Sequence, residues 1–174
     1  LDHALWLALE KNSLRDWVPS KWNAINPDSE TLERNLAEKE EAKREIDYIY
    51  GKVREGCRGL RPEKLEYLQN CLLVNRIYVS FYCDIAKAIL LTHYVTETNE
   101  DRESEFYSRT CEMLNKALER LLVLEKEITG FYKTTHYRPH TIYTLLDPAR
   151  VRAIYKDLAA RLSEHNKVKG DKCE

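Results

Sequence analysis

The chain has 174 residues, 43% hydrophobic and 33% charged, with 28 Lys and Arg against 29 Asp and Glu. That length suits one domain, and a charged fraction above the roughly 25% of an average globular protein excludes collagen-like and low-complexity chains. Its 5 Gly and 5 Pro are too few for a sandwich or barrel, which turns about every 8–12 residues, and its net charge of −1 lacks the basic excess of a nucleic-acid binder.

The expected architecture is all-α, a bundle of about five helices around one long central helix. Residues 1–16 read as a first helix, with Leu1, Leu5, Ala8 and Leu9 on one face. Position 1 is Leu and the sole methionine is Met113, so the chain is expected to be part of a longer polypeptide. Pro19 and Pro27 make residues 17–27 an irregular connection pinned by Trp17 and Trp22. The Asn, Asp or Ser side chains of residues 26–29 are N-cap candidates for a second helix over about 29–55. Its apolar stripe is Leu32, Leu36, Ile46, Ile49 and Val53; the charge run from Glu38 to Asp47 reads as a solvated face, with Glu30–Arg34 and Glu40–Arg44 pairs.

Gly56-Cys57-Arg58-Gly59 ends that helix, and Pro62 sits where an N1 proline would open a third, over about 62–95. Its segment IYVSFYCDIAKAILLTHYV is apolar on most sides, as a central helix should be. Asp84 and Lys87 fall mid-segment and would each cost about 2.5–3.5 kcal/mol at a bilayer centre, so no membrane span is expected. After the acidic turn from Glu97 to Glu105, a fourth helix over about 101–129 buries Phe106, Met113, Leu114, Leu118, Leu121, Leu124 and Ile128, and Gly130 closes it. The aromatic stretch FYKTTHYRPHTIYTLLD is expected to be irregular. Asp147-Pro148 then starts a final helix to about Ser163, through Val151, Ile154, Tyr155, Leu158 and Leu162. One helical domain over 1–165 is expected, with residues 166–174 a frayed tail.

The charge balance hides local imbalance. Residues 28–55 carry nine acids and six bases, 97–128 nine and five, and 133–172 four and nine. Five cysteines without a CxxC spacing disfavour a disulfide framework or zinc knuckle and point to a reducing compartment.

Arg76, Ser80, Asp84 and Lys87 fall on one side of the central helix; this stripe either lines a polar cleft or is the strip that reaches water or pairs with a neighbour. His136 and His140 are four apart, but Pro139 lies between them and no Glu follows His136, so a metal site of the HExxH type is not expected. With Tyr132, Tyr137, Arg138 and Tyr143, these histidines form a candidate binding loop for a sugar ring, a peptide or a neighbouring domain, or simply pack over the bundle end. There is no Gly-rich phosphate loop, GxSxG or catalytic Cys/His spacing, and no cofactor is expected.

The long helix LEYLQNCLLVNRIYVSFYCDIAKAILL, then LNKALERLLVLEKEITGFY, an aromatic loop and a closing helix together resemble the C-terminal helical region of large bacterial carbohydrate-active enzymes. The resemblance implies export and a non-catalytic supporting domain, with the catalytic carboxylates on a separate barrel. The leading expectation is therefore a helical accessory domain, possibly of a glycoside hydrolase. Its partner is expected to be a neighbouring domain of the same polypeptide or another protein, with no nucleic acid. A stand-alone interaction module and a ligand-binding protein or enzyme with a site between helices are the alternatives.

Overall fold

A computed structural model describes the backbone over residues 25–135 and 148–170, and side chains over 25–130 and 148–167. Among these residues the chain is all-α, with four helices: α1 (Ser29–Arg54), α2 (Pro62–Glu97), α3 (Glu105–Thr135) and α4 (Pro148–Gly170). The count of about five is thus corrected to four for this part of the chain; the helix expected over 1–16 lies outside the described residues.

α1 begins at an aspartate. The Asp28 backbone is extended, and its carboxylate accepts from the Thr31 amide at 2.7 Å and the Thr31 hydroxyl at 3.0 Å, satisfying donors that a helix start leaves open. Glu100, from the acidic turn, accepts from the Ser29 amide and hydroxyl, both at 3.0 Å, and from the Tyr94 hydroxyl at 2.8 Å. That turn therefore folds inward and ties the start of α1 to the end of α2. Gly56 and Gly59, at φ +103° and +85°, supply the left-handed backbone that reverses the chain between α1 and α2.

Pro62 opens α2 as expected. At 36 residues α2 is about 54 Å long, and it packs against each of the other three helices, while α3 also packs against α4. Almost every residue from Phe81 to Val95 is buried, because a helix surrounded on several sides has no face left for water. Leu114, Leu121, Leu124 and Ile128 of α3 and Val151, Ile154 and Leu158 of α4 close over it, with Leu32 contributed by α1. Tyr94 meets Phe106 edge-on, their ring centres 5.6 Å apart, a favourable aromatic geometry.

Three boundaries differ from the sequence expectation. α3 starts at Glu105, with the Ser104 hydroxyl accepting from the Tyr107 amide at 3.2 Å. It then runs through Gly130 to Thr135, since one interior glycine costs only about 1 kcal/mol against alanine. α4 continues past Ser163 to Gly170. No helix among the described residues is long and apolar enough to cross a membrane.

Candidate functional site

Three of the four side chains of the polar stripe of α2, Arg76, Asp84 and Lys87, are ion-paired with neighbouring helices. Asp84 is buried, its side chain 4% exposed. One carboxylate oxygen accepts from Lys43 Nζ of α1 at 2.8 Å and the other from Arg120 Nε of α3 at 2.8 Å. Arg120 also grips Glu127, seven residues on in α3, through both terminal nitrogens at 2.9 and 2.8 Å, the fork geometry that makes guanidinium pairs strong. One turn along α2, Lys87 donates to Glu40 of α1 at 2.9 Å. The result is a seam of ion pairs that joins α1, α2 and α3 where side chains leave the core.

The direction of the titrations follows from these contacts. The Lys87 ammonium bonded to Glu40 holds that carboxyl below its usual range, and the Arg120 fork does the same to Glu127. Arg120 is held more firmly protonated, through Glu127 first and Asp84 second. Burial pushes the neighbouring Cys83 thiol up to about 11, which suppresses the reactive thiolate.

Between α1 and α3, above α2, lies a cleft of about 190 Å³ lined by Glu40, Lys43, Asp84, Lys87, Met113, Lys116, Ala117 and Arg120. The expected solvated face from Glu38 to Asp47 holds for Glu38, Glu40, Glu41, Arg44, Glu45 and Asp47, which are exposed, but not for the whole run. Lys39 is buried, while Glu40, Lys43 and Asp47 are tied to α2.

The candidate residues read from the sequence do not all share this cleft. Arg76 binds Asp47 and stacks 5.3 Å from the Tyr50 ring centre, outside the cleft lining. Tyr132 is on the last turns of α3, its side chain outside the described set; His136, Tyr137, Arg138, His140 and Tyr143 lie outside the described residues. His93 is buried, with Nε2 2.9 Å from the Ile25 carbonyl. Among the described residues no group of three or more His, Cys, Asp or Glu is placed to hold a metal ion, and Cys57, Cys71, Cys83 and Cys111 form no disulfide there.

Sequence reading missed Lys43, Lys116, Arg120 and Glu127. The signal was Asp84 itself, since a carboxylate on a buried helix demands cations; that they come from α1 and α3 requires the tertiary structure.

A second feature lies at the far end of the α1–α2 hairpin. Tyr48, Ile49, Leu60 and Tyr67 are exposed there, Tyr67 at 70%. Around them Lys52, Arg54, Arg58, Arg61 and Lys64 are all exposed. Lys52 binds Glu55 at 3.0 Å and sits 5.7 Å from the Tyr48 ring centre, and Arg54 sits 5.9 Å from that of Tyr50. No protein-family model, curated protein or solved structure matches this chain.

Proposed function

We propose that this chain is a non-catalytic, all-α accessory module that holds a neighbouring domain through the tip of its α1–α2 hairpin. The observation that carries the reading is the concentration of exposed Tyr48, Ile49, Leu60 and Tyr67 within one stretch that also bears Arg58, Arg61 and Lys64. Aromatic and arginine side chains dominate the energetics of protein interfaces, and exposed apolar side chains grouped together favour association. A parent enzyme of the carbohydrate-active kind rests on the resemblance of the helices over 60–163 alone.

A catalytic reading is less well supported. A general acid or base must reach its substrate, and both Asp84 oxygens already accept from cations that compete for the same lone pairs. The other charged groups of that stripe are engaged as well, Arg76 by Asp47 and Tyr50 and Lys87 by Glu40.

A photo-crosslinking side chain at position 60, in the polypeptide translated from the natural gene, tests the proposal. A crosslink to another segment of the same polypeptide is the expected result. A crosslink to a separate protein selects the stand-alone interaction module instead. Absence of any crosslink at positions 60 and 67 overturns both.

A further inference from the structure

We propose that the cleft between α1 and α3 is a binding site for a small organic oxyanion, a carboxylate or a phosphate ester. The cleft is lined by four cations, Lys43, Lys87, Lys116 and Arg120, and two carboxylates, Glu40 and Asp84. Adding Glu127, which is clamped on Arg120, the cluster holds four formal positive and three formal negative charges. The cations outnumber the carboxylates by one, an excess that favours an anionic ligand; a carboxylate balances it, and a phosphate monoester, mostly dianionic at neutral pH, more than balances it.

The donors for such a ligand are present. Lys116 is exposed and makes no ion pair or hydrogen bond among the described residues. Lys43 and Lys87 each spend one ammonium N–H on a carboxylate and retain two. Arg120 has five N–H groups and uses three, one on Asp84 and two on Glu127, leaving one on each terminal nitrogen. Met113 and Ala117 add an apolar surface between these groups. At about 190 Å³ the cleft exceeds a bare inorganic ion, which favours an anionic headgroup carrying a small organic body. A cleft that combines an apolar surface with a few convergent polar groups is the usual form of a small-ligand site.

The test is a titration of the isotope-labelled chain with sodium acetate and, separately, sodium phosphate, each at constant ionic strength against sodium chloride. Amide and side-chain resonances of residues 113–120 report binding. Saturable shifts with either probe and none with chloride are expected, acetate alone marking a carboxylate site and phosphate alone a phosphate site. Lys116→Ala, which removes an exposed and unpaired side chain and leaves the fold intact, is expected to weaken binding at least fivefold, and Lys116→Glu to abolish it. Shifts that grow linearly with salt, equal shifts in chloride, or unchanged affinity in Lys116→Ala overturn the proposal and leave the cluster as an ion-pair seam only.

Discussion

Asp84 of α2 and Arg120 of α3 meet at 2.8 Å, with Lys43 of α1 at the same distance on the other carboxylate oxygen, so one buried side chain is the junction of three helices. Breaking a fully buried pair costs about 3–5 kcal/mol. Here the cation side chains are 27% and 35% exposed and rehydrate when released, so Asp84→Ala is expected to cost about 2–3 kcal/mol. Arg120→Ala leaves Lys43 in place and is expected to cost about 1–2 kcal/mol. Urea denaturation of both variants and of the double mutant should give a coupling of about 1 kcal/mol or more. A coupling near zero removes the junction from the account.

Acid should loosen the seam. Glu40 and Glu127 are held below their ordinary value of 4.5 by Lys87 and Arg120. A depressed folded value means the contribution is complete above the ordinary value and is lost as pH falls through the lower folded one. The urea midpoint is expected to hold from neutral pH to about 5 and then decline. In Glu40→Gln and Glu127→Gln the midpoint starts lower and declines less steeply; the same acid slope as wild type contradicts the assignment.

Alkali should act on Tyr94. Burial first, and the hydrogen bond to Glu100 second, push its phenol from 10.0 up to about 12. A raised folded value means stability is intact below the ordinary value and is lost as pH rises from there to the folded one. Spectrophotometric titration is expected to show a late-ionising phenol that Tyr94→Phe removes and Glu100→Gln brings down. Cys83, at about 11, is expected to resist thiol reagents near pH 8 until the chain unfolds.

The hairpin turn is a local test of backbone strain. A methyl group at Gly59 meets no atom within 4 Å, and its φ is +85°. The cost of Gly59→Ala is therefore conformational alone, about 1–2 kcal/mol, read as a fall in the urea midpoint. Gly130→Ala, in the interior of α3 with equally open space, is expected to stabilise by about 0.5–1 kcal/mol.

Much of the fold is legible in the chain because its helix starts carry explicit chemistry. Asp28 caps α1, while Pro62 and Pro148 are the first residues of α2 and α4. The apolar run ending at Val95 identifies the central helix, since a segment without a polar face has to be surrounded. Helix ends are harder to read. Gly130 reads as a stop, yet the register of Leu121, Leu124 and Ile128 on the core outweighs one glycine, and nothing between Ser163 and Gly170 forbids continuation of α4. The site was half legible for a different reason. Helical spacing places Arg76, Asp84 and Lys87 on one side of α2 but does not assign partners, which come from residues 29 to 47 positions away in sequence.

The hairpin tip as a docking surface is tested most directly by backbone hydrogen exchange of residues 48–67, compared between this chain alone and the polypeptide translated from its natural gene. The account predicts fast exchange around Arg58, Leu60 and Arg61 in the isolated chain and at least tenfold protection in the whole polypeptide, reversed by a Leu60→Ser, Tyr67→Ser double variant. Equal exchange in both contradicts it.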